Sequence, residues 1–67
     1  MKGLDCMTKY TIENATEVIT GINGNDRCYN ALSESLKADG YKLRYIDISR
    51  FIYYYVKENR IIALIRF

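Results

Sequence analysis

Basic and aromatic side chains alternate in the second half of the chain, and together they could bind anions. Lys42, Arg44 and Arg50 are interleaved with Tyr45 and with three consecutive tyrosines at 53–55. Lysine and arginine contact phosphates while aromatic rings stack on bases. The candidate nucleic-acid-binding residues are Lys42, Arg44, Arg50 and Arg66.

Histidine-dependent chemistry is excluded because the chain contains no histidine. A Ser-His-Asp triad and a Cys-His nucleophile pair both need that residue. A structural zinc site needs four ligands, and the two cysteines, Cys6 and Cys28, cannot supply them. We therefore predict no metal site and no cofactor, and we favour a protein that is not an enzyme.

The 67 residues are enough for one small domain. A chain of this size hides only about 60% of the surface that its unfolded form exposes, so a disulfide, a metal or a partner chain often stabilises it. Hydrophobic residues make up 49% and charged residues 27%, which is a globular composition rather than a disordered one. We expect residues 1–7 to be a loose leader and residues 8–67 to form the domain.

The net charge of +2 is unevenly distributed. Residues 1–40 carry four basic and six acidic side chains, a net charge of −2, whereas residues 41–67 carry six basic and two acidic ones, a net charge of +4. A chain polarised in this way can meet an anionic partner with its basic half. The alternative is that these charges only solvate the ends of strands.

The sequence predicts a cytoplasmic protein. Residues 1–7 include Lys2 and Asp5 and have no apolar stretch long enough for a signal peptide. The longest apolar run, residues 51–56, is far shorter than the ~18 residues of a membrane span. Reduced cysteines follow from that location, with Cys28 packed as a small apolar residue, although a disulfide with Cys6 stays open.

The clearest predicted element is a helix over residues 26–38. Asn25 or Asp26 can cap its start, and Gly40 is placed for a left-handed cap at its end. One side of this helix is apolar and the other is polar, which predicts packing on a sheet. The apolar positions are Cys28, Leu32 and Leu36, with Tyr29 beside them.

The segment before the helix predicts less regular structure. Residues 9–12 alternate polar and apolar side chains, which predicts a short strand. Residues 14–22 predict either a second strand or a short helix capped by Asn14, and the β-branched residues favour a strand at 17–22.

The chain after Gly40 predicts β structure. The first strand has one apolar and one basic face, because Lys42 and Arg44 alternate with Tyr41, Leu43 and Tyr45. The alternation changes phase at Ile46, and Asp47 and Ser49 after it predict a turn or bulge.

Two further strands complete the predicted sheet. Residues 51–56 are apolar or aromatic on both faces, as in a central strand, and residues 61–67 form the last strand. Residues 57–60 connect them, with Asn59 as the candidate for a left-handed conformation. The fold class is α+β, one amphipathic helix packed on an antiparallel sheet, in the order β-(β)-α-β-β-β.

The tyrosines indicate an interaction surface. One helix covers one face of a sheet, so we expect the other face to expose aromatic residues unless a second chain covers it. The strand at 61–67 offers an open edge for strand addition. The alternative is that Tyr53 and Tyr55 fill the core. The predicted partner-binding residues are Arg44, Tyr45, Arg50, Tyr53, Tyr54 and Tyr55.

Residues 40–65 resemble the C-terminal β-hairpin of the RelE/ParE toxin superfamily. The basic strand at 41–44, the Arg-apolar-apolar-Tyr strand at 50–53 and the apolar strand at 61–65 carry the resemblance. It implies a ribosome-dependent mRNA interferase in which Lys42, Arg44 and Arg50 contact the RNA phosphate. Only Arg66 lies near the position of the family's further Arg or His, so the resemblance favours binding over cleavage.

Three functions are consistent with these patterns. We favour a small non-catalytic interaction protein that forms a homodimer, or that binds or inhibits a larger protein or nucleoprotein machine. Inhibitors encoded by phages and mobile elements, such as anti-CRISPR proteins, are comparable in size and composition. The alternatives are a RelE/ParE-like toxin and a small single-stranded nucleic-acid-binding protein, which a pI of 8.6 supports only weakly.

Overall fold

The computed structural model describes residues 10–67 as one helix on a four-stranded sheet. The elements are β1 (Glu17–Ile19), α1 (Asp26–Ala38), β2 (Lys42–Asp47), β3 (Ile52–Lys57) and β4 (Arg60–Ile65). The predicted α+β class is confirmed. The predicted leader at 1–7, together with Cys6, lies outside the described residues, and so does the start of the strand predicted at 9–12.

The first predicted strand is wrong over its described part, because a turn occupies that place. The amide of Asn14 donates to the carbonyl oxygen of Thr11 at 3.1 Å and to its hydroxyl at 3.2 Å. A short polar side chain that accepts a backbone hydrogen bond favours a turn over a strand. The second segment is a strand, as favoured, but it is only three residues long.

The helix has the bounds that the sequence predicts, because both ends carry local signals. The Asn25 side chain accepts the amide of Cys28 at 3.0 Å, which satisfies one of the free donors of the first turn. At the other end, Gly40 has φ +98° and its amide donates to Lys37, while the amide of Tyr41 donates to Leu36. This pair of bonds is a Schellman motif.

The sheet order is β1-β4-β3-β2, so β4 is central rather than an edge. The expected open edge at 61–67 is therefore wrong. Strand β1 pairs parallel to β4, while the other pairs are antiparallel, so the sheet is mixed rather than antiparallel. A parallel pair needs a long crossover, and α1 with the hairpin of β2 and β3 lies between β1 and β4 in sequence.

A β-bulge at Arg44 changes the phase of β2. Leu43 lies opposite Tyr55 and Tyr45 lies opposite Tyr54, so Arg44 is the extra residue. Neighbouring residues of a strand face opposite sides, and paired residues share a side, so Tyr45 points away from the side of Leu43. The expected single apolar face with Tyr41, Leu43 and Tyr45 is therefore wrong, and the phase changes before Ile46.

The two sides of the sheet are both covered within the chain. We name the side that α1 covers the helix face and the opposite side the second face. On the helix face, side chains of α1 pack on a buried cluster, which consists of Ile22, Tyr41, Tyr55, Ile62 and Leu64. On the second face, Tyr10 and Ala15 pack against a buried cluster of Ile52, Tyr54 and Ala63.

A hydroxyl network connects the helix to the centre of the sheet. The hydroxyl of Tyr55, a residue only 1% exposed, lies 2.8 Å from the hydroxyl of Tyr29 and 2.8 Å from that of Ser33. Ser33 is the buried polar residue of the helix and is 6% exposed. Buried hydroxyls are stable only when they are hydrogen-bonded, so this network fixes where α1 lies on β3.

A two-residue turn joins β3 to β4. Lys57 pairs with Arg60, and Glu58 has the positive φ, +54°, whereas Asn59 does not. The expected left-handed residue was therefore displaced by one position. Strand pairing on both sides imposes this conformation on a residue type that seldom adopts it.

We predict that Tyr55→Phe lowers the free energy of unfolding by about 1–3 kcal/mol, because Ser33 keeps a buried hydroxyl that has lost a partner. Tyr53→Phe removes the hydroxyl of the neighbouring, half-buried ring, which is not part of the network. This control should change stability by less than about 0.5 kcal/mol. Urea unfolding measures both, and equal losses would contradict the role of the network.

We also predict that Glu58→Gly raises the free energy of unfolding by about 1 kcal/mol, because glycine adopts positive φ without a steric penalty. Asn59→Gly is the matched control and should give no gain, since Asn59 does not need that conformation. Thermal and urea unfolding of the two variants test this. A gain for Asn59→Gly alone would show that the left-handed position is the other one.

Candidate functional site

The four predicted partner-binding tyrosines lie at different depths. Tyr54 and Tyr55 are buried on opposite faces of β3, with 2% and 1% exposure. The expectation that Tyr54 lies exposed is therefore wrong. Tyr53 is half-buried and packs against Tyr29 with 4.9 Å between ring centroids, and Tyr45 is half-buried on β2.

A cluster of three rings explains the burial of Tyr54. The Tyr10 ring stacks on Tyr45 at 5.9 Å and lies 6.0 Å from Tyr54, and Tyr45 and Tyr54 are 5.9 Å apart. Tyr10 lies more than forty positions before Tyr54 in sequence. Its ring covers Tyr54 on the face that we expected a second chain to cover. Tyr54 is therefore a core residue whose replacement would lower stability directly.

The predicted cations lie along the edge strand and the turn that follows it. Lys42 and Arg44 are exposed on β2, while Arg50 is 71% exposed in the turn, with its Nε 3.9 Å from the carboxylate of Asp47. Lys42 and Asp47 are separated by roughly 16 Å along the strand. The cations of the toxin resemblance therefore follow one another along β2 and the turn after it.

Arg66 is already engaged within the chain. Its guanidinium lies over the Tyr29 ring, 4.7 Å from the centroid, and forms an ion pair with Asp26 at the start of α1. The backbone of Arg66 also forms two hydrogen bonds. Its amide donates to the carbonyl of Phe51 at 2.8 Å, and its carbonyl accepts the amide of Gly24. Arg66 thus ties the residues after β4 to the helix, and its side chain is only 28% exposed.

Two phenylalanines that the sequence analysis did not select form an exposed pair. Phe51 and Phe67 stack with ring centroids 5.6 Å apart and an interplanar angle of 16°. Phe51 is 47% exposed and Phe67 80% exposed, and Ile48, in the same turn as Phe51, is 78% exposed. We name these three residues the phenylalanine patch.

The backbone of the patch is strained at Phe51. This residue has φ +58°, in the left-handed region that glycine and asparagine favour and bulky residues avoid. A left-handed conformation costs about 1–2 kcal/mol for a residue with a side chain. Strain of this kind persists where the surrounding structure fixes it and is often found at functional sites.

A shallow cleft adjoins the stacked rings. Its volume is about 260 Å³, and it is lined by Gly24, Phe51, Tyr53, Arg66 and Phe67. Pockets for drug-sized ligands are typically about 300–1,000 Å³, so the volume of this cleft is suited to a single side chain. Its lining combines aromatic rings with the arginine that borders the helix.

The described residues offer no set of ligands for a metal ion. Among residues 10–67, no group of three or more Cys, Asp or Glu side chains could hold a metal ion.

Two basic side chains contact Tyr41. The Arg60 Nε donates to the Tyr41 hydroxyl at 2.8 Å, which raises the pKa of Arg60. That contact and the Lys57 ammonium 5.7 Å from the centroid of the Tyr41 ring stabilise the fold.

The pKa values of two tyrosines are raised. Burial raises the pKa of Tyr29 above its usual value, and its hydrogen bond to Tyr55 raises it further. Burial also raises the pKa of Tyr54, with a further rise from Asp47 and an opposing effect from Arg50. Both rings are structural, so these shifts bear on stability.

Comparisons with known proteins leave the site to be judged from its geometry. No family model, curated protein or solved structure matches the chain. Within residues 10–67, none of the helical structure is long and apolar enough to cross a membrane.

The sequence did contain a signal for the phenylalanine patch. Asp47 and Ser49 predict a turn, yet Ile48 and Phe51 place large apolar side chains in it. Apolar residues in a turn gain little burial from the fold, so they are candidates for contact with a partner. The stacking of Phe67 on Phe51 depends on the pairing of β3 with β4 and has no local signal.

We predict that stability falls above about pH 10. The native state keeps the protons of Tyr29 and Tyr54 at pH values where an unfolded tyrosine, with a pKa near 10, has lost its proton. The stabilisation is complete below that pH and is lost as the pH rises through the raised values. Urea unfolding at a series of pH values measures the slope.

Tyr29→Phe should reduce this slope because one of the shifted groups is gone. Ile62→Val is the control, since it lowers stability by about 0.5–1.5 kcal/mol without removing a tyrosine. The control should keep the wild-type slope. An unchanged slope in Tyr29→Phe would contradict the assignment.

Proposed function

We propose that the protein is a non-catalytic binding module that docks on an acidic surface of a larger protein through the phenylalanine patch. The observation that carries the proposal is the exposed Phe51–Phe67 stack on a strained turn. Phenylalanine and other aromatic residues are enriched at protein interfaces, and exposed apolar patches mark such sites.

The strain at Phe51 supports a role in binding. Asparagine or glycine at this position would relieve the backbone, and a polar residue would be better solvated. The ring contributes one stacking contact with Phe67, worth about 0.5–1.5 kcal/mol, which only balances the strain. Stability alone therefore gives little reason for phenylalanine here, whereas a partner that covers the ring gives one.

One exposed cation beside the patch supports a partner that carries carboxylates. Arg50, next to Phe51 in sequence, is 71% exposed. Its only acidic neighbour in the turn, Asp47, lies 3.9 Å away, so Arg50 remains available for a second carboxylate. An apolar side chain flanked by carboxylates would match both features.

Such a module could act as an inhibitor by covering a site on a larger protein or nucleoprotein machine. We extend the proposal to this role on the basis of the small size of the chain. Phage and mobile-element inhibitors of the anti-CRISPR type would be one setting for it. A RelE/ParE-like toxin or a nucleic-acid-binding protein would instead use the row of cations on β2, and the test below separates these functions.

We predict that an acidic peptide with one central phenylalanine perturbs the amide resonances of Phe51, Arg66 and Phe67 in a titration of isotope-labelled protein. The same peptide with glutamine in place of glutamate should bind more weakly, because Arg50 loses a carboxylate partner. Phe51→Asn should weaken binding by about tenfold, which corresponds to ~1.4 kcal/mol. The variant should keep its stability within about 1 kcal/mol, since relief of strain offsets the lost stack.

Two controls decide between the functions. Val18→Asn replaces an apolar residue, 38% exposed, at the other end of the sheet order and should leave peptide binding unchanged. A single-stranded RNA oligonucleotide should perturb the patch less than the acidic peptide does. Tighter binding of the RNA, with shifts at Lys42 and Arg44, would support the nucleic-acid alternative and refute the proposed partner.

A further inference from the structure

The outer edge of β2 is open within the described part of the chain. Strand β2 is last in the sheet order, and no strand among residues 10–67 pairs with its outer side. It is six residues long, whereas the opposite edge strand, β1, has three. A long edge strand presents unpaired backbone groups that can pair with another strand.

Exposed apolar side chains accompany this edge on the helix face. Leu43 and Ile46 are each 39% exposed, and they lie opposite Tyr55 and Tyr53, which point toward α1. Neither is among the residues that pack against the buried cluster of the helix face. On the second face of the same strand lie Lys42 and Asp47, opposite Val56 and Ile52.

We propose that β2 pairs antiparallel with β2 of a second copy of this chain, with Lys42 opposite Asp47 and Leu43 opposite Ile46 across a two-fold axis. In this register each lysine meets a carboxylate, and each leucine meets an isoleucine. The strand is thus complementary to itself in charge and in hydrophobicity. The proposal concerns a different surface from the phenylalanine patch.

The bulge makes this register possible. In a regular strand, residues three positions apart face opposite sides, so Leu43 and Ile46 could not lie opposite each other across a two-fold axis. Because Arg44 is an extra residue, Leu43 and Ile46 both lie on the helix face, where they pair with Tyr55 and Tyr53. The same shift puts Lys42 and Asp47 on one face.

Neighbouring registers fail on the same criteria. A shift that centres the axis on Arg44 places that arginine opposite itself and Leu43 opposite Tyr45, which faces the other side. A shift that centres it on Tyr45 places Leu43 opposite Asp47, also on the other side. Of these three registers, only the one with the axis between Arg44 and Tyr45 puts Leu43 opposite Ile46 and Lys42 opposite Asp47, and it places each Arg44 opposite Tyr45 of the other copy.

Sedimentation equilibrium over a concentration series tests the dimer. Wild-type protein should show a monomer–dimer equilibrium, and Leu43→Lys should raise the dissociation constant at least tenfold, since it places two buried charges beside apolar residues. Val18→Lys on the other edge strand is the matched control and should dissociate like wild type. A wild-type protein that is monomeric at every concentration would refute the proposal.

A charge exchange tests the register. Lys42→Asp should raise the dissociation constant on the order of tenfold, because two carboxylates then face each other in each of two symmetric pairs. Adding Asp47→Lys should restore it to within about threefold of wild type. Circular dichroism confirms that the variants fold. Folded double-mutant protein that dissociates as readily as Lys42→Asp would show that these residues do not face each other.

Binding of the acidic peptide to the phenylalanine patch distinguishes this proposal from the proposed function. Leu43→Lys should bind the peptide as wild type does, because it leaves Phe51 and Phe67 in place. Monomeric wild-type protein that still binds the peptide would refute the dimer alone. Dimeric protein that fails to bind the peptide would refute the proposed function alone.

Discussion

The fold depends on β3 burying tyrosines on both of its faces. Tyr55 is held by hydroxyls of Ser33 and Tyr29 on the helix face, and Tyr54 lies in the ring cluster of the second face. Residues 10–67 form one helix with which to cover the sheet, and one helix covers one face. The other face is covered because Tyr10 and Ala15 pack on it. The strands must therefore supply apolar side chains to both faces of the sheet.

The bulge in β2 follows from this constraint. A regular strand with Tyr41 and Leu43 on the helix face would place Tyr45 there too, and the second face would lose a ring. The extra residue at Arg44 turns Tyr45 to the second face, where it stacks with Tyr10 and Tyr54. The same bulge puts Ile46 on the helix face, where it is 39% exposed. The exposed position of Ile46 beside Leu43 is thus a consequence of completing the second core.

The sequence predicted correctly those elements that depend on interactions between residues close in sequence. The helix was correct at both ends because Asn25 and Gly40 act within one turn of it. The strands after it were located, but the bulge and the parallel pairing of β1 depend on neighbours that are distant in sequence. The burial of Tyr54 by Tyr10 is of the same kind. For the site, the sequence indicated the basic and aromatic half of the chain and missed Phe51 and Phe67, whose stack exists only after β3 and β4 pair.

The residues with positive φ differ in whether their residue type and local structure account for that conformation. Asn23 tolerates that conformation, and Glu58 accepts it because a two-residue turn joins two paired strands. At Phe51, neither the residue type nor burial of the ring accounts for the positive φ. Phenylalanine seldom adopts this conformation, and the ring is 47% exposed. Its backbone is fixed because its carbonyl accepts the amide of Arg66, which in turn is tied to Asp26 and Tyr29 on the helix. The backbone of Phe51 is therefore anchored to the residues after β4, and an aromatic side chain on an anchored backbone loses less conformational entropy when a partner covers it.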